Sequence, residues 1–299
     1  MELTVLGSGG FMPYPGLNVP GFIVRRRGTS YLLDAGEGSQ LRMVEEGLAR
    51  TDLEAIFISH MHGDHTLGLP GVLIRRGQEN SEELLSLLGP EKLEDYVSST
   101  QRTLGFNVHY EMKFEEVSDA KNHLFSEIEV MVKKLDHRSP AYGYLLKARR
   151  EKRKFHPEKA RELNVPRGPL WGELQKGNNV QLEDGRVIEP GQVSDPPPEG
   201  PKLVYITDTR PIFDYPEEFY NPNLLIHEGM FLEKHKEHAQ KKKHSTALEA
   251  ARVASHLQAD KLLLTHRSRR YMQPEQLVKE AEKEFAAAEL ARDGMQVEV

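Results

Sequence analysis

Ser59-His60-Met61-His62-Gly63-Asp64-His65 is the stretch on which the reading of this chain turns. Directly before it, Ala55-Ile56-Phe57-Ile58 has the apolar, β-branched character of a buried strand, and soon after it comes Gly68-Leu69-Pro70-Gly71. The cluster therefore occupies a strand-to-helix loop. Three imidazoles and one carboxylate within six positions bring four donors into one small volume. Nitrogen beside hard oxygen suits Zn²⁺ or Mn²⁺.

Outward from that loop the chain reads as strands that end in polar residues. On the N-terminal side, Leu3-Thr4-Val5-Leu6 feeds the glycine turn Gly7-Ser8-Gly9-Gly10, which lacks the Lys-Ser/Thr of a phosphate loop. Strands are expected at 21–24 and 30–34, followed by Asp34-Ala35-Gly36-Glu37-Gly38 and a helix over 39–48. On the C-terminal side, 81–88 and 90–105 read as helices, and 114–117 and 128–132 as half-buried strands leading to His137. Further strands end at Asp208, at His227-Glu228 and at His266, and 274–290 reads as a closing helix. Ligand sites in α/β architectures gather where strands end, so the 60–65 loop, His137, Asp208 and His266 are candidates for one pocket. Two adjacent ions need about seven donors with one shared. Spacing alone does not assign those donors to individual ions.

Composition narrows the classes. The chain has 299 residues, 38% of them hydrophobic, enough for a sizeable core. It has no cysteine, so disulfides and thiolate sites are excluded and any metal must be held by His, Asp and Glu. No apolar run approaches the roughly 20 residues of a membrane span, and the start lacks the basic region of a secretory signal, so a soluble cytoplasmic protein with no membrane partner is expected. A net charge of −6 argues against a surface that binds nucleic acid all over. One local exception is the run Lys147, Arg149, Arg150, Lys152, Arg153 and Lys154. Beyond it lie a helical stretch over 156–163, a Gly/Pro-framed loop over 165–172 that carries the only Trp, and a stiff Pro-rich return at 192–201. Residues 149–194 thus read as an insertion between the two parts, 1–148 and 195–299, of one body.

These residues resemble the tRNase Z family (also called RNase Z or RNase BN) of the metallo-β-lactamase superfamily. The matching segments are Gly7-Ser8-Gly9-Gly10, Asp34-Ala35-Gly36-Glu37-Gly38-Ser39-Gln40, residues 59–73, Leu135-Asp136-His137, Asp208-Thr209-Arg210-Pro211, His227-Glu228, His244-Ser245-Thr246 and Leu264-Thr265-His266. They follow the family's order across nearly the whole chain. In the insertion, Gly168-Pro169-Leu170 and 182–186 resemble the arm with which that family grips tRNA. The loop Pro13-Tyr14-Pro15-Gly16-Leu17-Asn18-Val19-Pro20 differs from the family's usual Arg-Asn-containing form.

The resemblance implies an α/β protein, an αββα sandwich of two mixed sheets flanked by helices. It implies a metal-dependent endoribonuclease that removes 3′ trailers from precursor tRNA by metal-activated water attack, leaving a 3′-hydroxyl on the tRNA and a 5′-phosphate on the trailer. Position by position it implies two Zn²⁺ ions, or Mn²⁺: one on His60, His62 and His137, a second on Asp64, His65 and His266, with Asp208 between them. Asp64 is implied as general base, His244 as proton donor and Glu228 as the group that orients it. Arg149, Arg150, Arg153, Lys154, Gly168 and Pro169 are implied as tRNA contacts, in a homodimer whose arm serves the other subunit. Two rivals remain open on sequence. A small-molecule phosphodiesterase or other dinuclear hydrolase on the same scaffold would not need a basic arm, and a non-catalytic RNA-binding protein would hold a closed structural metal.

Overall fold

The computed structural model describes residues 1–48, 52–79, 81–149 and 153–299. Two seven-stranded sheets dominate it. The first runs in the order Gln296–Glu298, Glu2–Gly7, Gly21–Arg26, Thr29–Ala35, Asp52–Phe57, Leu85–Gly89 and Met112–Glu116. The second runs Ala288–Leu290, Leu262–Thr265, Leu224–Glu228, Lys202–Ile206, Tyr142–Ala148, Ile128–Lys134 and Asn122–Leu124. Both are mixed. Thr29–Ala35 pairs antiparallel with Gly21–Arg26 but parallel with Asp52–Phe57, and Lys202–Ile206 pairs antiparallel with Tyr142–Ala148 but parallel with Leu224–Glu228.

Alternation along the strands sets the layers, because successive side chains point to opposite faces. Leu203 and Tyr205 enter one apolar cluster, Val204 and Ile206 another; Tyr31 and Leu33 share the first, whereas Leu32 joins a third. The shared cluster takes Leu3, Phe22 and Phe57 from one sheet and Tyr144, Leu146 and Ile226 from the other, so the sheets pack face to face. Phe57 sits at its middle, 5.4 Å from the ring centres of both Phe125 and Tyr144. Such pairs add about 0.5–1.5 kcal/mol each beyond area burial. Outside the second sheet lie helices Ala247–His256 and Glu275–Ala281; outside the first lie Ser39–Glu45, Leu69–Gln78 and Leu93–Leu104. This is the expected αββα sandwich.

Ala148–Gly200 forms a second compact unit, whereas 1–147 and 201–299 form the first. The second unit has its own core of Ala160, Val165, Leu174, Val180, Leu182, Ile188 and Val193. It closes on itself where Lys154–Phe155 pairs antiparallel with Ser194–Asp195.

Three local expectations are corrected. Leu85–Gly89 is a strand, not a helix; it is buried on both faces, and a five-residue run of that kind carries no periodicity that separates strand from helix. The expected closing helix stops at Ala281, and Ala288–Leu290 instead pairs in parallel with Leu262–Thr265. Trp171 lies in a helix, Pro169–Lys176, not a loop: Gly168 precedes the first turn, Pro169 fits it, and the indole N–H donates to the Val165 carbonyl at 3.1 Å.

Candidate metal centre

Parallel strands in each sheet end at the same edge, which is where α/β folds place ligands. Thr29–Ala35 delivers Asp34 there, Asp52–Phe57 delivers the 59–65 loop, Lys202–Ile206 is followed by Asp208, and Leu262–Thr265 by His266. Asp34, Asp208 and His266 all take positive φ, at 53°, 23° and 55°. Left-handed backbone is costly for residues with a Cβ and is held only where surrounding bonds over-determine it.

The outer nitrogens of the histidines are tied down first. Ser59 Oγ donates to Asp34 Oδ2 at 2.7 Å and so accepts from His60 Nδ1 at 3.0 Å. His65 Nδ1 donates to Asp34 Oδ2 at 2.7 Å, and His137 Nδ1 donates to the Lys243 carbonyl at 3.0 Å. These bonds fix tautomers in which the Nε2 atoms carry lone pairs pointing inward. His60 Nε2 then lies 2.9 Å from His62 Nδ1 and 3.5 Å from Asp208 Oδ2, and His137 Nε2 lies 3.4 Å from His62 Nδ1 and 3.8 Å from Asp208 Oδ2.

A second group faces the other carboxylate oxygen. Asp208 Oδ1 is 3.5 Å from His65 Nε2 and 3.1 Å from His266 Nε2, while Asp64 Oδ2 is 3.7 Å and 3.3 Å from the same two nitrogens. His65 Nε2 is fully enclosed with no hydrogen-bond partner. An enclosed imidazole nitrogen without a partner, set among converging ring nitrogens and carboxylate oxygens, suits a bound cation. His60, His62, His137 and Asp208 form one group that could hold a metal ion, and Asp64, His65 and His266 form another.

Electrostatics point the same way. Burial and the neighbouring His65 hold His60 well below its usual value. Burial would also depress His65, but the Asp34 and Asp208 carboxylates outweigh it and hold His65 well above the usual value. Burial would raise Asp208, yet His266, His65, His244 and His60 keep it well below the carboxylate range. Asp64 is likewise held low against burial, by its bond to His266 and the charge of His65. The pocket therefore favours positive charge at its centre.

His244 is buried, only 9% exposed, although it follows a run of lysines. Its Nδ1 lies 3.0 Å from Glu228 Oε1, which also accepts the Thr209 amide at 2.7 Å. Burial lowers the imidazole, but Glu228 and Asp208 overcome it and push it up to about 9. His244 also lies within ligand distance of Asp208 and His266. Its ring, with His62, His137, Asp64, Asp208 and His266, lines a cavity of about 550 Å³.

Two supporting residues were not singled out from sequence. Asp34, fully buried, accepts from the Ser59 amide, Ser59 Oγ, His65 Nδ1 and Tyr205 Oη, the last at 2.6 Å. Asp293 accepts from the Ser8 amide and hydroxyl and from the Asn18 amide and side chain at 2.6–3.0 Å. The polar strand end before a glycine turn was a signal for Asp34; Asp293 had none.

Of the expected arm contacts, Arg153 spends its guanidinium inside the arm, donating to Ser194 Oγ at 2.8 Å and to the Ser194 carbonyl at 3.1 Å. Lys154 and Arg149 are exposed, and Arg150 lies outside the described residues. Gly168 and Pro169 start the helix Pro169–Lys176.

An αββα sandwich with a His/Asp cluster at one sheet edge defines a metal-binding protein of the metallo-β-lactamase fold. A family model described as Anti-Pycsar protein Apyc1 matches residues 1–146. Over its full length the chain is 36% identical across 303 residues to the ribonuclease Z of Treponema denticola, covering 98% of that protein. It is 35% identical across 311 residues to the ribonuclease Z of Prochlorococcus marinus, again along the whole chain and 99% of the relative. Human tRNase Z, short form, has the same fold, with a TM-score of 0.70 at 21% identity over 100% of this chain and 99% of that one. The chain belongs to the ribonuclease Z family.

Proposed function

We propose that this protein is a tRNA 3′-processing endoribonuclease that removes the trailer from precursor tRNA with water as nucleophile. The observation that carries the reading is the division of Asp208 between two donor groups, His60 and His137 on Oδ2 with His62 beside them, and His65 and His266 on Oδ1 with Asp64 beside them. His60, His62, His137 and Asp208 would hold one divalent cation and Asp64, His65, His266 and Asp208 the other, with Zn²⁺ suited to the donors and Mn²⁺ the alternative. Bound there, a pair of cations would lower the pKa of the attacking water and neutralise negative charge on the phosphodiester.

The chain's own groups supply the rest. Asp64 orients the attacking water and accepts its proton. His244, with Nδ1 committed to Glu228, has Nε2 available to protonate the leaving 3′ oxygen. Because the nucleophile is external water and not the 2′-hydroxyl, the tRNA keeps a 3′-hydroxyl and the trailer carries a 5′-phosphate. Such ends are ready for CCA addition.

Residues 149–194 are the proposed tRNA-binding arm. Lys154, Lys159 and Arg161 would contact phosphates without reading bases, which gives salt-dependent recognition of a folded shape. We place the arm in a cytoplasmic homodimer, each arm serving the other subunit. Among the described residues no helix is long and apolar enough to cross a membrane. Full-length relatives named ribonuclease Z, matched through the arm region as well as the metal loops, favour this reading over a small-molecule hydrolase.

The test is incubation with a precursor tRNA, with and without chelator, followed by mapping of both ends. A single cut at the base of the trailer, with a 3′-hydroxyl and a 5′-phosphate and loss of cutting on chelation, is expected. A 2′,3′-cyclic phosphate, or no cut, would refute it.

A further inference from the structure

One large side chain at the mouth of the metal cavity stands mostly in solvent. Phe11 is 73% exposed and lines the cavity beside Asp64 and His266. Its φ of 74° is a left-handed conformation that a bulky aromatic rarely adopts. Among the described residues its ring meets no other aromatic ring. An apolar ring held at a cost in backbone strain, in water, next to a reaction centre is the kind of outlier from which a functional role is inferred.

The loop that presents it is held at its ends and at Phe11. Its ends, Ser8 and Asn18, are clamped together on Asp293, and Gly9 donates to the Asn18 carbonyl at 2.8 Å. Gly10 lies flat on His266; a Cβ there would meet ring atoms at 2.6–2.8 Å. At Phe11 itself the backbone amide donates to Asp64 Oδ2 at 2.7 Å. The ring is thus placed by the same loop that holds a metal-site carboxylate.

We infer that Phe11 stacks on the first nucleobase of the trailer and so selects a nucleotide strand at the cleavage site. This rests on the proposed endoribonuclease reading. Single-stranded nucleic acid is gripped by aromatic side chains on which splayed bases stack, with little sequence preference because every base has a π-face. The side of the scissile bond follows from the chemistry. In-line displacement puts the attacking water and the leaving 3′ oxygen on opposite faces of phosphorus, so the upstream nucleoside lies toward His244. The downstream nucleoside hangs on an equatorial oxygen. Phe11, bonded to the carboxylate proposed to orient the water and remote from the leaving oxygen, is therefore placed to meet the downstream nucleotide and not the upstream one. Arg269 and Arg270 line the same cavity and suit the phosphates that follow it.

The test is a double-mutant cycle on the metal-loaded enzyme, cutting precursor tRNA in single turnover with an abasic site either at the first trailer nucleotide or at the nucleotide before the cut. Phe11→Gly removes the ring while suiting the positive φ, Phe11→Leu keeps apolar bulk without a π-face, and Phe11→Tyr keeps the ring. In the wild type, loss of the first trailer base should slow cleavage on the order of ten- to a hundredfold. In Phe11→Gly and Phe11→Leu the same loss should change little, and Phe11→Tyr should behave as wild type. 2-Aminopurine at that position should be quenched on mixing, before cleavage, by wild type and Phe11→Tyr but not by Phe11→Gly. Equal sensitivity to the abasic site in wild type and Phe11→Gly, or coupling only to the base before the cut, would overturn the assignment while leaving the endonuclease reading intact. A wild-type enzyme that never cuts precursor tRNA would remove both.

Discussion

The buried carboxylate of Asp34 accepts the Nδ1 proton of His65 over 2.7 Å, fixing the imidazole so that Nε2 faces Asp208 and Asp64. A carboxylate behind a ligating histidine raises ligand basicity and sets ring orientation. Asp34→Asn should therefore weaken metal binding on the order of 10- to 100-fold, measured by chelator competition. Asp34→Ala should also lower stability by about 1–3 kcal/mol, read from denaturant unfolding, because the Ser59 and Tyr205 donors lose a buried acceptor. Unchanged metal affinity in Asp34→Asn would show that Asp34 serves only the fold.

His244 should matter most when the leaving group is poor. Its Nδ1 is occupied by Glu228, which leaves Nε2 to deliver a proton. His244→Ala should slow cleavage of precursor tRNA about 10²–10⁴-fold, and much less with an ester whose leaving group needs no protonation. Glu228→Gln should show the same pattern more weakly. Equal losses with both substrates would reject the acid role.

Asp64→Ala should abolish cleavage while gel-shift affinity for precursor tRNA stays near that of the wild type. Residual turnover above a thousandth of the wild-type rate would contradict its role with the water.

Replacing residues 149–194 with a short flexible linker should cut affinity for precursor tRNA at least tenfold and leave hydrolysis of a small phosphodiester nearly unchanged. The affinity of the intact protein should also fall steeply with salt, as phosphate contacts require. Parallel losses on both substrates would mean that residues 149–194 support the body and not the RNA.

The candidate donors were legible because their chemistry is local: four of them crowd into one loop, and His137, Asp208 and His266 each follow a strand. What surrounds them was not. Asp293 anchors Ser8 and Asn18 from more than 270 residues away, and no local pattern encodes a bond of that span. Leu85–Gly89 was misread because a strand covered on both faces looks like any short apolar run. Ala288–Leu290 sits in a sequence with high helix propensity, yet pairing with Leu262–Thr265 outweighs it. Arg153 illustrates the converse. Its charge was visible, but only the fold shows that two of its N–H groups bond Ser194.

Metal content is the most direct test of the account, because the proposed cleavage chemistry depends on Asp208 standing between two ions. Inductively coupled plasma analysis of the purified protein should find about two equivalents of divalent metal per chain, and Asp208→Ala should hold no more than one. One equivalent in the wild type, or two in both proteins, would contradict it.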